Sequence, residues 1–218
     1  MPRRECGVRH VVLASASPRR RDLLRVAGFL VVVRPADIDE RLLPGEGAHR
    51  LVERLAKSKV RAVARNSGTD AVSQDAVSQN AVLQDAVLQD VGLPVIAADT
   101  TVALDDLVLN KPADDEDARR MLRKLSGRSH EVLTGLAVRM ADREHCTVVS
   151  TQVSFRSLDD EDIEAYLGAG EHMDKAGAYG VQGAGSVLID RVDGSMTNVV
   201  GLPMTELFSL LRRVGALA

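Results

Sequence analysis

Three stretches of the sequence gather residue types able to act on an anionic substrate. The first is Ser15-Ala16-Ser17-Pro18-Arg19-Arg20. The apolar run Val11–Ala14 leads straight into it, Ser17 suits a helix N-cap and Pro18 the first helical position. Hydroxyls, unsatisfied backbone N–H groups and guanidinium forks therefore converge where a strand becomes a helix. Arg19, Arg20 and Arg21 all oppose the helix macrodipole there, which favours a bound phosphate over a merely solvated basic turn. The GxxxxGK[ST] pattern of a P-loop is absent. The second stretch, Ala97-Ala98-Asp99-Thr100-Thr101, puts an acid at the expected end of an apolar strand, where a carboxylate can hold a divalent cation or take a proton from water. On its own an Asp in that place is also an ordinary turn residue. Just downstream, Asn110-Lys111-Pro112 sets a lysine in a stiff loop, as a phosphate ligand or as plain surface charge. The third stretch runs from Asp174-Lys175 through Tyr179 to Gln182 and Gly185. Its small residues let backbone approach a ligand, and the Gln182 amide can both donate to and accept from the edge of a base.

Alternating strand and helix signals surround these stretches. Val11–Ala14 and Phe29–Val33 read as strands flanking a helix that Gly28 closes, and Arg50–Ala64 carries a helical apolar stripe with Lys57, Lys59 and Arg61 on its flanks. Val95–Ala98 and Thr101–Leu104 read as strands around Asp99. Asp114–Leu125 is a helix with acids in its first turn and bases after them, ended by Gly127. Val132–Met140 and Thr147–Phe155 read as paired strands joined across Ala141–His145. A helix at Asp159–Leu167, a Gly-rich loop at 168–185, a strand at Val187–Asp190 and a helix at Pro203–Arg213 complete an α/β chain with mixed strand pairing.

Composition narrows the function classes. At 218 residues and 45% hydrophobic content the chain can fill a core, and a single domain over residues 1–218 is expected. A net charge of −3 and only 2% aromatic residues argue against binding a nucleic-acid polymer by a basic face and stacked bases. Tyr179 is the one ring within the three stretches left to stack on a base. Cys6 and Cys146 form no CxxC pair, so neither a disulfide framework nor a cysteine zinc site is expected, and a reducing cytoplasm fits. The start MPRRECGVRH leads into too short an apolar run for a signal peptide or membrane span. Residues 70–90 hold four tandem pentapeptides of the form Asp/Asn-Ala-Val-Ser/Leu-Gln. A five-residue period suits neither a helix face nor strand alternation, so the segment is expected to be a duplicated surface insertion without a catalytic group.

The segments LASASPRRRDLL, PADIDE, RLAKSKV, AADTTV, LNKP, LSGRSHEVLTGLAV, DKAGAYGVQG and GSMTNVVGLP occur in one order along nearly the whole chain, apart from the insertion. In these segments the chain resembles the Maf family of nucleotide pyrophosphatases. That resemblance implies a mixed, elongated, twisted sheet flanked by helices, with two lobes around a cleft, similar to the inosine-triphosphate pyrophosphatase-like fold. It implies hydrolysis of a nucleoside triphosphate to the monophosphate and pyrophosphate, assisted by a divalent cation, Mg or Mn. It gives Asp99 the role of proton acceptor, Ser17, Arg20, Lys59 and Lys111 that of phosphate ligands, and Glu40 with Asp99 that of metal ligands; Asp37 and Asp39 stand in the same acidic loop as Glu40. Arg19, Thr100 and Gln182 match the branch resembling dTTP/UTP pyrophosphatases, which points to dTTP, UTP and modified pyrimidine nucleotides and to a house-cleaning role. A homodimer is also expected from the resemblance. Two alternatives stand beside it: a purine-directed enzyme of the inosine-triphosphate type, and a nucleotide-binding regulator of septum formation that lacks turnover.

Overall fold

A computed structural model describes residues 9–66 and 92–218; the pentapeptide insertion and Cys6 lie outside the described residues. Seven strands form one sheet, side by side in the order Phe29–Val33, Arg9–Leu13, Val95–Leu104, Ser129–Met140, Arg143–Phe155 and Ile189–Asp193, with the short Leu107–Leu109 attached to Val95–Leu104. Strand β1 (Arg9–Leu13) leads into helix α1 (Pro18–Val26), which returns the chain to β2 (Phe29–Val33), parallel to β1. Gly28, at φ +85°, makes the turn after α1 in a conformation that side-chain-bearing residues avoid.

From β2 the chain passes to α2 (Ala48–Asn66) and then to β3 (Val95–Leu104), which lies on the other side of β1 and parallel to it. The order thus reverses between β1 and β3, the kind of place where α/β sheets open a crevice beyond their carboxyl ends. The other strands are antiparallel: β4 (Leu107–Leu109), β5 (Ser129–Met140), β6 (Arg143–Phe155) and β7 (Ile189–Asp193). Helices α3 (Asp115–Leu125) and α4 (Asp160–Gly168) cover the far half of the sheet, and α5 (Met196–Val200) and α6 (Met204–Arg213) close the chain. Asp114 caps α3 by accepting from the Asp117 N–H, and Asp159 and Asp162 form a capping box on α4.

Strand alternation divides the core. Ile96, Ala98, Leu136 and Val138 pack with α1 and α6 on one face, whereas Val95, Ala97 and Ala137 pack with Ala56, Val60 and Val63 of α2 on the other. A third cluster joins the far ends of β3, β5 and β6 to α3, α4 and Tyr179, and so builds a second lobe.

Several expected boundaries shift. Asp99 is in the middle of a continuous β3, because its opposite Gly135 and the rest of β5 keep the ladder running through it. The β5–β6 hairpin is longer than expected, with Met140 paired to Arg143 and only Ala141 and Asp142 between them; Ala141 adopts φ +53° to make so tight a turn. The strand expected at Val187–Asp190 is β7 at Ile189–Asp193, since Gly183–Leu188 turns as a 3-10 helix. Strand β4 and helix α5 are additions that short, unpatterned segments do not announce. Among the described residues no helix is long and apolar enough to cross a membrane.

Candidate active site

Strand β1 pairs with β3 only as far as Leu13 and Ile96, and β4 takes up the β3 edge only at Val102. Between those points the chain that follows β1 curls over Asp99 and Thr100, and a cleft of about 600 Å³ opens there. Such a volume suits a nucleotide-sized ligand. All nine expected site residues line this one cleft: Ser17, Arg19, Arg20, Glu40, Lys59, Asp99, Thr100, Lys111 and Gln182.

The pleat of β3 sends successive side chains to opposite faces. Asp99 falls on the α2 face, where the Lys59 ammonium donates to its Oδ1 at 2.6 Å. The same ammonium lies 2.7 Å from Glu40 Oε1. Lys59 and Asp99 are buried, at 9% and 12% side-chain exposure, whereas Glu40 stands half in solvent at 51%. Of the three acids in the loop after β2, Glu40 is the one that reaches the site; Asp39 is held in a bidentate pair by Arg41, which keeps its carboxyl down at about 2.

Lys59 reaches Asp99 because α2 sits unusually close to the sheet. Gly135, paired opposite Asp99, faces the backbone of α2 so tightly that a methyl group there would lie 2.0 Å from the Val52 carbonyl oxygen. Only hydrogen fits at that position.

Thr100 points to the other face, toward α1. Arg20 donates from Nη2 to Thr100 Oγ1 at 3.1 Å, from Nη1 to Ser15 Oγ at 3.0 Å and from Nε to the Gly201 carbonyl at 2.8 Å. Burial lowers the Arg20 pKa, and the nearby Asp99 carboxylate acts in the opposite sense. Three of its five N–H groups have acceptors among the described residues, and the remaining two suit the oxygens of a phosphate.

Other contacts shape the cleft mouth. Arg19 pairs with Asp174 Oδ2 at 2.7 Å, which ties the start of α1 to the Gly-rich loop. Asn110 accepts from the Thr101 hydroxyl at 2.9 Å, and its carbonyl accepts from Gly177 N–H, so the loop carrying the exposed Lys111 is fixed at its base. Gln182 is exposed at the rim.

Two sequence expectations change here. Ser17 occupies the N-cap position, but its side chain makes no capping bond; Ser15 Oγ accepts the Ser17 N–H at 3.2 Å and also holds Arg20. Ser15, named in the same Ser-x-Ser signal but with no role of its own, is thus the hydroxyl that orders the turn and Arg20. Tyr179 is 5% exposed, hydrogen-bonded to His130 Nε2 at 2.7 Å and packed edge-on against His130 and Phe155. Its ring is committed to the core, not presented as a stacking platform.

The carboxylates at the cleft floor that could hold a cation are Glu40 and Asp99, both paired with Lys59; no cluster of three or more His, Cys, Asp or Glu suited to a metal occurs among the described residues. That set fits a hard ion that takes one or two protein carboxylates and completes its shell with water and substrate oxygens, as Mg does, and it does not fit a closed structural site.

The arrangement defines a nucleotide-sized anion cleft with a buried Asp–Lys pair at its floor. The family model described as "Maf-like protein" matches residues 10–214, and the chain belongs to the Maf family. The chain is 48% identical over 209 residues to a dTTP/UTP pyrophosphatase of Anaeromyxobacter dehalogenans, covering 94% of each chain. It is 45% identical to a dTTP/UTP pyrophosphatase of Geobacter sulfurreducens, over 95% of this chain and 97% of that one. A third relative of the same name, from Syntrophomonas wolfei, is 44% identical over 93% of this chain and 96% of its own.

Proposed function

We propose that this protein is a nucleoside triphosphate pyrophosphatase that hydrolyses dTTP and UTP, and modified pyrimidine nucleotides, to the monophosphate and pyrophosphate, and so keeps cytoplasmic nucleotide pools clean. The observation that carries the reading is the convergence of the nine residues on one cleft, and the names of relatives spanning nearly the whole chain support the substrate class. In this reading Arg20, Lys111 and the Ser17 hydroxyl bind the triphosphate, with Lys59 close beside the α-phosphate. Asp99 takes a proton from water as its oxygen bonds to the α-phosphorus, and the bond from that phosphorus to the bridging oxygen breaks, the electron pair leaving with pyrophosphate. Glu40 and Asp99 are the residues that would hold a divalent cation, whose charge would offset that of the phosphates. Arg19, Thr100 and Gln182 set the preference for a pyrimidine.

The test is pyrophosphate release from a nucleotide panel. dTTP and UTP are expected to exceed ITP, GTP and 7-methyl-GTP, and Asp99→Asn is expected to reduce the rate on dTTP by at least roughly 100-fold, the range one acid–base group supplies. Nucleotide binding without product would favour a regulator instead, and preference for ITP would favour a purine-directed enzyme. Thermal melting of Asp99→Asn separates lost chemistry from lost fold, because that change also disturbs a buried ion pair.

A further inference from the structure

Behind the cleft a chain of polar side chains runs from Arg20 into the interior. Arg20 Nη2 lies 3.1 Å from Thr100 Oγ1, Thr100 Oγ1 lies 2.9 Å from Thr134 Oγ1, and Thr134 Oγ1 lies 3.3 Å from the Asn198 carbonyl oxygen. Thr134 and Asn198 are fully buried, and Thr134 does not line the cleft. The two ends fix every proton between them. A guanidinium only donates and a carbonyl only accepts. Thr134 therefore gives its proton to Asn198, Thr100 gives its own to Thr134, and Thr100 is left with lone pairs for Arg20. All three bonds point one way, an order in which each polarises the next. Asn198 is itself anchored, since its Nδ2 donates to the Val132 carbonyl and to Thr151 Oγ1, each at 3.0 Å.

Resting on the function proposed above, we propose that Thr134 is a positioning residue for phosphate binding: through Thr100 it holds the Arg20 guanidinium at the angle in which its two remaining N–H groups meet phosphate oxygens. Thr100 thereby serves phosphate binding as well, through the acceptor it offers to Arg20. The Thr–Thr pair is a cross-strand neighbour pair, Thr100 on β3 facing Thr134 on β5, so the device is built into the sheet register.

The experiment compares Thr134→Val, which keeps the shape and removes the hydroxyl, with Thr134→Ser, which keeps the hydroxyl. Dissociation constants are measured by calorimetry for α,β-methylene-dTTP and for inorganic tripolyphosphate, which has no base. Thr134→Val is expected to weaken both ligands by the same factor, on the order of tenfold, as a lost link to a charged group implies. Thr134→Ser is expected to stay within about twofold of the parent, again by the hydrogen-bond scale. In an Arg20→Ala background Thr134→Val is expected to add nothing, the mark of two residues acting as one unit. Unchanged affinity in folded Thr134→Val, full additivity with Arg20→Ala, or a loss confined to the nucleotide and absent with tripolyphosphate each overturns the proposal. Failure of the function itself appears separately, as absent pyrophosphate release by the parent protein.

Discussion

Gly135→Ala tests how the floor of the cleft is built. The added methyl would lie 2.0 Å from the Val52 carbonyl oxygen, 2.4 Å from its carbon and 2.9 Å from the Glu53 nitrogen, all of them backbone atoms of α2 that no side-chain rotation can clear. Restoring ordinary van der Waals contact requires α2 and β5 to part by more than about 1 Å. Lys59 lies seven residues beyond Val52, two turns and about 10 Å along the same helix face, so the shift is carried to the ammonium that Asp99 and Glu40 share. Overpacking of this kind costs about 1–3 kcal/mol. For a chain of this length that is a fall in Tm of roughly 2–12 °C. Misplacing a reacting group by about 1 Å costs on the order of 100-fold in rate. The assay is pyrophosphate release from dTTP at a temperature well below the variant's melting point, beside Gly168→Ala, where an added methyl meets nothing within 4 Å. Gly168→Ala is expected to match the parent. A folded Gly135→Ala protein with a parental Tm and kcat/KM within about threefold would refute the reasoning, since far larger losses follow from a displacement of that size.

The acidic loop and the buried imidazole give two further outcomes. Glu40→Gln is expected to raise the Mg concentration needed for half-maximal rate, while Asp39→Asn leaves it unchanged, because Asp39 is occupied by Arg41; a metal titration of both variants checks this. His130 is buried and held neutral, its pKa pushed down by desolvation from 6.5 to about 4. The unfolded chain takes up a proton below pH 6.5 that the folded chain does not, so His130 contributes a loss of stability as pH falls from 6.5 toward 4, at most about 3 kcal/mol. His130→Gln is expected to flatten that part of the stability curve in urea unfolding, and an unchanged slope would remove His130 as its cause.

The local signals in the sequence carry much of the site. Hydroxyls and arginines beside Pro18, an acid after Ala97-Ala98 and small residues around Tyr179 each announce a function over a few positions, and the order of the segments joined them into one cleft. What escaped depends on pairing across distance. That Asp99 faces Lys59 while Thr100 faces Arg20 follows from the strand running through both, which only the β5 ladder decides. Gly135 is one glycine among seventeen until α2 is laid on it. Thr134 and Asn198 stand within quoted segments, yet a buried threonine has no sequence mark that separates it from any strand threonine. Tyr179 misled for the opposite reason: a ring in a Gly-rich loop looks available until its neighbours, His130 and Phe155, enclose it.

The long β5–β6 hairpin also bears on the order of folding. Its strands are adjacent in sequence and joined by two residues, so its contacts close without a large loop, on the microsecond scale of hairpin formation. The Arg20–Gly201 and Lys59–Asp99 bonds instead close segments of the chain far apart in sequence. Catalytic competence is therefore expected to arise late, after the hairpin has given α2 a surface to dock on. Destabilising substitutions in the hairpin turn should slow refolding, whereas those at Gly201 should mainly speed unfolding.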